Sequence, residues 1–226
     1  MLNFSKTLVI AAHPDDETLG CGGLISRLTN QGEEVRVIFI AEGSSCRYEK
    51  MTKQATLDID FRGKCAIDAL TILGVSDYKF YNFPCGRLGD EPLLDITKII
   101  EKEILDYSPV TILTHSSKDV HNDHKVIYKA VVQATRPVRN IVKNLISFEI
   151  LSSTEWNYIE AFKPNLFVDI SSTLEIKLNA MCCYSSEQPL KPHPRSSHVI
   201  KSLATVRGSQ SGVDYAEGYE VIRLFI

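Results

Sequence analysis

One stretch decides the fold: Thr7-Leu8-Val9-Ile10-Ala11-Ala12-His13-Pro14-Asp15-Asp16-Glu17. Its apolar half predicts a buried strand over residues 8–12, and the segment from about residue 17 to residue 30 has apolar side chains at helical intervals. A β-branched run over residues 35–40 predicts the next strand. Strand, helix and strand make a βαβ unit, whose crossover is almost always right-handed, so the sequence predicts a parallel sheet.

The rest of the chain continues this alternation of helices and strands. Helices are predicted over residues 53–73, 93–106, 127–135, 173–183 and 196–206, and strands over residues 78–83, 110–114, 145–150, 166–170 and 219–225. The candidate core positions of the longest helix are Leu57, Phe61, Ala66, Leu70 and Leu73. We find no repeat, low-complexity tract or linker. The pattern favours a single α/β domain over residues 1–226, with a Rossmann-like, mostly parallel sheet flanked by helices.

Three glycines, Gly20, Gly22 and Gly23, fall inside the first predicted helix. They lack the Gly-x-Gly-x-x-Gly spacing of a dinucleotide-binding turn and do not stand at the start of the helix. We therefore expect them to let the helix pack close to the sheet. Nicotinamide binding is disfavoured.

The turn after the first strand carries His13, Asp15 and Asp16 around Pro14. Imidazole nitrogens and carboxylate oxygens are zinc ligands, and a turn stiffened by proline can point two of them at one ion. Helix capping is the alternative, since an aspartate before a helix accepts hydrogen bonds from free backbone N–H groups. Capping accounts for an aspartate but leaves His13 unexplained.

A second group of such residues, His121-Asn122-Asp123-His124, follows the apolar run over residues 110–113. Because ligands of open α/β sheets bind at the carboxyl ends of the strands, both motifs should meet at one edge of the sheet. Catalytic zinc sites use three protein ligands and keep a fourth position open, and His13, Asp16 and His124 supply that number. His115, at the end of the preceding strand, is assigned a structural or outer role because the metal ligands are already complete.

The two motifs in this order resemble the LmbE-like (PIG-L) family of metal-dependent N-acetyl-sugar deacetylases. Further blocks that resemble the family are Gly20, Gly22 and Gly23, Arg62 in a helix ending at Leu73-Gly74, His193-Pro194-Arg195-Ser196 and Tyr215-Ala216-Glu217. The resemblance implies a zinc-dependent hydrolase that converts an acetamido sugar or sugar conjugate into an amino sugar and acetate.

The resemblance also implies a role for each motif residue. The metal ligands would be His13, Asp16 and His124, and the catalytic residues would be Asp15, His121 and Asp123. Asp15 would act as the general base, His121, if protonated, would stabilise the oxyanion, and Asp123 would orient a ligand. Some members place a tyrosine two residues before the position of His121, where it polarises the substrate carbonyl. Asp119 stands there in this chain.

The candidate substrate contacts are Arg62, Asp90 and His193. The resemblance suggests Arg62 and Asp90, for which a helix-surface ion pair and ordinary turn chemistry are the alternatives. His193 lies in a rigid loop, since residues 189–194 contain three prolines and cannot be helical.

Zinc is the expected cofactor, because bound zinc polarises a carbonyl and lowers the pKa of water to about 7. Two histidines and a carboxylate with open positions also suit ferrous iron. Two other interpretations stay open, a nucleotide-binding α/β enzyme without a catalytic metal and a non-catalytic metal- or sugar-binding module. The first leaves both histidine motifs unexplained, and the second is disfavoured because all the predicted ligands and the base are present.

The composition of the 226 residues, 44% hydrophobic and 23% charged, is typical of a globular protein. With 25 basic and 28 acidic residues, the formal charge of −3 gives no broad electrostatic footprint for nucleic acid or an anionic membrane. No 18-residue uncharged apolar run occurs, and the first ten residues have too short an apolar stretch for a signal peptide. We expect a cytoplasmic protein without a membrane span that acts on a small molecule. A homo-oligomer stays open.

The cysteines are Cys21, Cys46, Cys65, Cys85, Cys182 and Cys183, and no pair has the Cys-x-x-Cys spacing. Disulfide frameworks are typical of short secreted chains. We therefore expect free, mostly buried thiols and no zinc bound through cysteine.

Overall fold

The computed structural model describes residues 3–138 and 141–225. Its helices and strands follow in the order β1 (Lys6–Ala11), α1 (Asp16–Asn30), β2 (Glu34–Ala41), α2 (Lys53–Ile72), β3 (Asp77–Phe83), α3 (Leu93–Tyr107), β4 (Thr111–His115), α4 (Asn122–Ala134), β5 (Asn144–Phe148), β6 (Leu166–Asp169), α5 (Leu174–Cys182), α6 (Ser197–Ser211) and β7 (Ala216–Leu224). Short 3₁₀ helices at Ser45–Arg47, Leu88–Asp90 and Thr154–Trp156 lie in the connections. Every predicted helix and strand is present, and only their ends differ.

The seven strands form one sheet in the order β3-β2-β1-β4-β5-β7-β6. Strand β1 pairs parallel with β2 and β4, β2 pairs parallel with β3, and β4 pairs parallel with β5. Only β7 runs against its neighbours β5 and β6. The predicted single-domain fold with a mostly parallel, Rossmann-like sheet is confirmed.

Helices cover both faces of the sheet. One core, formed with α1, α2, α5 and α6, includes Val9 and Ala11 of β1, and the other, formed with α3 and α4, includes Leu8 and Ile10. Because both faces of β1 are buried, its apolar run is unbroken instead of alternating with polar residues. Among the described residues, no helix has both the length and the hydropathy needed to cross a membrane.

Helix α2 buries a different face from the one that its apolar residues predicted. Leu57 and Phe61 are 51% and 49% exposed, so their assignment to the core was wrong, whereas Ala66, Leu70 and Leu73 are buried as expected. The buried face of the helix passes through Ala55, Arg62, Cys65, Ala66 and Ala69. The buried face of the helix therefore includes an arginine and leaves out two large apolar residues, Leu57 and Phe61.

Helix α1 is interrupted at Cys21, whose φ of −148° and ψ of 21° are not helical. The backbone N–H groups of Gly23 and Leu24 donate to the buried carboxylate of Glu217 on β7, at 2.9 and 2.8 Å. Lys177 on α5 balances this charge, with its Nζ 2.6 Å from Glu217. Strand β7 therefore supplies the hydrogen-bond acceptor for the two backbone N–H groups that follow the interruption of α1.

Two glycines of α1 allow this helix to approach the sheet closely. A Cβ atom at Gly20 would lie 2.4 Å from the ring of Phe148 on β5. A Cβ atom at Gly23 would lie 2.6 Å from the side chain of Ile170, just after β6. The prediction that these glycines serve close packing is confirmed.

The strand order reverses between β1 and β4. From β1 the chain continues outward to β2 and β3, and it then crosses to β4 and β5 on the other side. Loops that leave the carboxyl ends of two such strands separate to opposite faces and leave a crevice. The His13 motif follows β1 and the His121 motif follows β4, so both reach this crevice.

We predict that Gly23→Ala destabilises the fold by about 1–3 kcal/mol, because the added methyl overlaps Ile170 in a packed core. The matched control is Gly63→Ala on α2, where an added Cβ meets nothing within 4 Å. Alanine should stabilise that helix by up to about 1 kcal/mol. Urea unfolding followed by circular dichroism measures both variants, and equal stabilities would contradict the close packing of α1.

Candidate active site and metal centre

The carboxylate of Asp16, at the first position of α1, has three imidazoles around it. Its Oδ2 lies 3.4 Å from Nδ1 of His13, 3.4 Å from Nε2 of His124 and 3.5 Å from Nε2 of His115. All four side chains are buried. The structure thus brings the three predicted metal ligands together, although they come from two distant parts of the chain.

The spacing of these groups suits a divalent metal. Ligand atoms about 2.0–2.2 Å from a tetrahedral ion are about 3.3–3.6 Å apart, and the oxygen of Asp16 is 3.4 Å from a nitrogen of each ligand histidine. One ligand atom each from His13, Asp16 and His124 lies within 4.8 Å of the other two. The donor set and its geometry therefore fit a catalytic metal with three protein ligands.

Asp123 fixes the ring of His13. Its Oδ2 lies 2.8 Å from Nε2 of His13 and accepts a hydrogen bond from the N–H of Gly86 at 2.6 Å, and its Oδ1 accepts one from the N–H of Leu88 at 3.1 Å. The other ring nitrogen of His13 faces Asp16. Asp123 lies where an orienting group is expected, behind a ligand.

Asp119 lies against His124 in the same way. Its Oδ2 is 2.9 Å from Nδ1 of His124 and accepts a hydrogen bond from the hydroxyl of Thr154 at 3.0 Å. Its Oδ1 accepts hydrogen bonds from the hydroxyl of Ser153 and from the N–H of His121. Sequence analysis missed this role of Asp119. The signal was present, since a metal-bound histidine usually contacts an acid or carbonyl through its second nitrogen.

His115 connects the end of β1 to this cluster. Its Nε2 accepts a hydrogen bond from the N–H of Ala12 at 2.9 Å, and its ring stacks on that of His124 with centroids 3.9 Å apart. Burial, together with the charge of His124, holds the pKa of His115 well below its ordinary value. This neutral, enclosed ring agrees with the structural role expected from the sequence.

Asp15 has a backbone conformation that is rare for aspartate, with φ 106° and ψ −25°. Such a conformation costs on the order of 1–3 kcal/mol and persists only where its surroundings hold it. Arg62 supplies that restraint, because its Nε and Nη2 donate to the carbonyl oxygen of Pro14 at 3.0 and 2.8 Å. Arg62 is only 5% exposed, so the helix-surface ion pair considered from the sequence was wrong.

A closed ring of alternating charges contains Asp15. Its Oδ2 lies 3.1 Å from Arg62 and 2.7 Å from Arg195, and Glu187 contacts the same two guanidinium groups at 2.8 and 3.3 Å. Burial raises the pKa of Asp15, and the two arginines oppose that shift. Oδ1 of Asp15 is buried and has no hydrogen-bond partner within residues 3–138 and 141–225. One oxygen is therefore held by cations, and the other is free to take a proton.

The candidate substrate contacts lie in different surroundings. His193 is half-buried and lines a cavity of about 260 Å³ together with Glu187 and Arg195. Asp90 is exposed at the end of the 3₁₀ helix Leu88–Asp90. Arg62 is enclosed by protein groups, and its contact with a substrate stays a prediction.

Arg195 and Glu187 were not assigned from the sequence. A buried Asp15 needs a cation as its partner. That requirement could have pointed to Arg195, which stands in one of the blocks that resemble the family. Glu187 gave no comparable signal, because it lies in an irregular segment between α5 and α6.

Comparison with known protein families agrees with this geometry. The family model described as PIG-L: GlcNAc-PI de-N-acetylase matches residues 8–135. The chain belongs to this family. The matched segment contains both histidine motifs and ends just after α4, so Glu187, His193 and Arg195 lie beyond it.

Individual relatives extend the likeness of this PIG-L chain beyond the matched segment. It is 28% identical to diacetylchitobiose deacetylase of Thermococcus kodakarensis, over 96% of this chain and 83% of that protein. The structure of N,N'-diacetylchitobiose deacetylase from Pyrococcus horikoshii superimposes with a TM-score of 0.80 at 21% identity, covering 97% of this chain and 84% of that one. The latter likeness shows the shared fold.

One relative of this PIG-L chain has a different activity. The 4-oxalmesaconate hydratase of Pseudomonas putida is 24% identical over 96% of this chain and 89% of that protein. A fold can carry more than one kind of chemistry, so the residues of the site decide the reaction.

The two carboxylates beside His124 make this imidazole strongly basic. Burial by itself lowers the pKa of His124, but the charge of Asp16 and the contact with Asp119 outweigh burial and raise it to about 10. In the metal-free protein, His124 is therefore an imidazolium between two carboxylates. Because a metal ligand must be deprotonated, His124 could act as the predicted ligand only after losing that proton.

His121, like His115, is a neutral histidine of the site. Burial and the positive charges of His124 and His13 lower its pKa to about 4. Its Nδ1 accepts a hydrogen bond from the N–H of Asp123 at 3.2 Å, so the proton of the neutral ring is on Nε2. The lowered pKa and the geometry thus favour a neutral hydrogen-bond donor, so the condition of a protonated His121, stated in the sequence analysis, is not met at neutral pH.

Glu17 supports the turn between β1 and α1 from behind. Its Oε1 accepts hydrogen bonds from the hydroxyls of Thr18 and Tyr184, and its Oε2 accepts one from the N–H of Asp15 at 3.0 Å. Burial raises the pKa of Glu17 to about 7. Ionisation of this carboxyl near neutral pH therefore costs folding stability.

Asp119→Asn should weaken zinc binding about ten- to a hundredfold, because the variant loses the charge that orients His124. Asp90→Asn is the matched control, and it should bind zinc as the parent protein does. Competition with a chromophoric chelator measures both affinities. An unchanged affinity of the Asp119 variant would remove this residue from the metal centre.

Glu17→Gln should remove a pH dependence of stability. The pKa of Glu17 is raised from its ordinary 4.5 to about 7 in the folded protein, so stability falls as the pH rises through this range. At about 1.4 kcal/mol per unit, the free energy of unfolding of the variant should gain about 3 kcal/mol on the parent between about pH 4 and pH 8. Urea unfolding of the metal-free proteins across this range measures the difference in unfolding free energy between variant and parent. If Glu17 were ionised at every pH in this range, that difference would not change with pH.

Proposed function

We propose that this chain is a metal-dependent N-deacetylase that hydrolyses an acetamido sugar or sugar conjugate to an amino sugar and acetate. The observation that carries the proposal is a buried three-ligand cluster next to Asp15, whose Oδ1 lacks a partner among the described residues. An amide is a poor electrophile and water is a poor nucleophile, so a hydrolase must activate both. The three-ligand cluster would hold a metal that activates the amide, and the carboxylate of Asp15 would activate the water.

His13, Asp16 and His124 would hold the metal, for which zinc is the first choice and ferrous iron suits the same donors. When bound, the metal supplies a Lewis acid that polarises the acetyl carbonyl and makes water more acidic. Asp123 and Asp119 keep the two imidazole rings turned toward Asp16. The ligands are thus oriented before a metal arrives.

Asp15 would take the proton of the attacking water and return it to the amine leaving group. Its raised pKa favours this role, since a base works best when its pKa approaches the working pH. Arg62 and Arg195 hold Oδ2 in place, which leaves Oδ1 for the proton.

His121 would donate its Nε2–H to the carbonyl oxygen as negative charge develops there. Asp119 does not replace the tyrosine that some family members have at its position, because its carboxylate is buried against His124. His121 would then be the side chain that polarises the carbonyl in this chain, in addition to the Lewis acid that a bound metal would supply.

Support for an acetamido sugar as the substrate comes from the family description and from the diacetylchitobiose deacetylase relative. The cavity lined by His193 and Arg195 is the candidate place for the sugar, with Arg62 and Asp90 as further candidate contacts. The cytoplasmic location, the extent of the domain over residues 1–226 and a homo-oligomeric state stay predictions.

Hydration of an unsaturated acid is the second candidate, and the 4-oxalmesaconate hydratase relative favours it. Addition of water to a carbon–carbon double bond also needs an activated water and a base. Hydration releases neither an amine nor acetate, so the products distinguish the two reactions.

Zinc-loaded protein should release equal amounts of acetate and free amine from at least one member of a panel containing N-acetylglucosamine, N,N'-diacetylchitobiose and a nucleotide-linked N-acetylglucosamine. Asp15→Asn should lower kcat about 10²- to 10⁴-fold and keep the metal, because the amide retains the size of the carboxylate but cannot act as the base. Asp60→Asn, at an exposed position of α2, is the matched control and should keep full activity.

Other results would contradict the proposal in distinct ways. Water addition to an unsaturated dicarboxylate, without amine release from any sugar, would favour the hydratase. Bound zinc with no product from either class of substrate would favour a binding module. Full turnover by the Asp15 variant would assign the base to another residue.

A further inference from the structure

Two loops at the carboxyl end of the sheet bring a pair of cysteines into contact. Cys46 lies in the 3₁₀ helix Ser45–Arg47 after β2, and Cys85 lies in the loop after β3. Their Sγ atoms are 3.2 Å apart. All six cysteines are free, as expected, but only half are buried, and Cys46 is exposed whereas Cys85 is buried. The pair therefore combines contact between sulfurs with access from solvent.

The carboxylate of Glu42 holds both loops. Its Oε2 accepts hydrogen bonds from the N–H groups of Ser44 and Ser45, at 2.6 and 3.0 Å, and its Oε1 accepts one from the N–H of Cys85 at 2.8 Å. Although burial alone would raise the pKa of Glu42, a hydrogen bond from the Ser45 hydroxyl and these backbone bonds lower it, so the group is ionised. The backbone on both sides of the thiol pair is thus fixed, and the contact of the sulfurs is built into the fold.

The backbone after Cys85 leads directly to a predicted metal ligand. Gly86 and Leu88 donate their N–H groups to Asp123, which contacts Nε2 of His13. The sulfur of Cys85 itself lies in a group with His13 and Asp123 whose ligand atoms are within 4.8 Å of one another. A displacement of Cys85 therefore changes the support of His13.

We propose that Cys46 and Cys85 form a redox-active dithiol, which closes to a disulfide on oxidation and thereby weakens metal binding through Asp123 and His13. Sulfurs in a disulfide are about 2.05 Å apart, so closure draws the two sulfurs together by roughly 1 Å and pulls on the loops that carry them. The hydrogen bonds to Asp123 must adjust to this movement. The effect on metal binding rests on the metal centre of the proposed function, and the dithiol itself does not.

A peroxide is a sufficient oxidant for this step. The Cys46 thiolate attacks one peroxide oxygen, the O–O bond breaks, and Cys46 becomes a sulfenic acid while the released hydroxide takes up a proton to form water. The sulfur of Cys85 then attacks the sulfenic sulfur, the S–S bond forms, and the second water leaves with the Cys85 proton. Two thiols and one hydrogen peroxide thus give one disulfide and two waters, and a thiol reductant reverses the change.

The order of attack follows from exposure. Cys46 is reached by solvent, whereas Cys85 is buried behind it. The hydrogen bond that Cys85 donates also lowers the pKa of the Cys46 thiol to about 6, which increases its thiolate fraction at neutral pH. Cys46 is therefore the attacking thiol, and Cys85 is the thiol that resolves the sulfenic acid.

The test uses the zinc-loaded full chain treated with a small excess of hydrogen peroxide. Trypsin digestion without reduction should give a cross-linked pair of peptides, residues 37–47 and 80–87, each with a single cysteine. Zinc affinity, measured by chelator competition, should fall about tenfold or more on oxidation and return after reduction with dithiothreitol. Cys46→Ser should show neither change. Cys182→Ser, which alters another exposed cysteine, should behave as the parent does.

Absence of this cross-link in the oxidised parent protein would overturn the proposal, and so would a cross-link that leaves zinc affinity unchanged. A parent protein that binds no zinc before oxidation would contradict the metal centre and the coupling together. Neither measurement depends on turnover, so failure to find an acetamido sugar substrate leaves this test intact.

Discussion

The rest of the site depends on one constraint, the burial of the Asp16 carboxylate among imidazoles. A buried charge is costly unless it is paired, and here the pairing continues along a line of five groups. In order they are Asp119, His124, Asp16, His13 and Asp123, with contacts of 2.9, 3.4, 3.4 and 2.8 Å between neighbours. The alternation of acid and imidazole keeps each histidine between two carboxylates. The parallel pairing of β1 with β4 brings the two halves of this line together.

The adjacent residues Asp15 and Asp16 have different charged neighbours, and their pKa values shift in opposite directions. Burial acts on both, but the charge of His124 and the contacts with the imidazoles of His124 and His13 hold the pKa of Asp16 well below its ordinary value. Asp15 faces Arg62 and Arg195, and its pKa is nevertheless raised. In active sites, neighbouring carboxyl groups whose environments separate their pKa values in this way usually take different roles. The turn between β1 and α1 thus presents the predicted ligand and the predicted base side by side.

Much of this arrangement could be predicted from the sequence. The apolar run before His13 marks a strand that is buried on both faces, and chain direction alone brings the two histidine motifs to one edge of the sheet. The groups that restrain the motifs were harder to find. Arg62 occupies the buried face of α2, where periodicity favoured Leu57 and Phe61, and Glu187 comes from an irregular segment. The contact of Cys46 with Cys85 depends on how two loops fold over Glu42, and no spacing in the sequence encodes that.

The position of β7 has a consequence for how the protein is made. This strand is the last in sequence of the described elements, yet it lies between β5 and β6 and is the sole sheet partner of β6 in the described structure. Until residues 216–224 leave the ribosome, β6 has no strand to join, one edge of β5 stays open, and the interrupted turn of α1 lacks the carboxylate of Glu217. The amino-terminal half can form its parallel strands during synthesis. The first helix, which begins at Asp16, reaches its final form only after residues 216–224 have been synthesised.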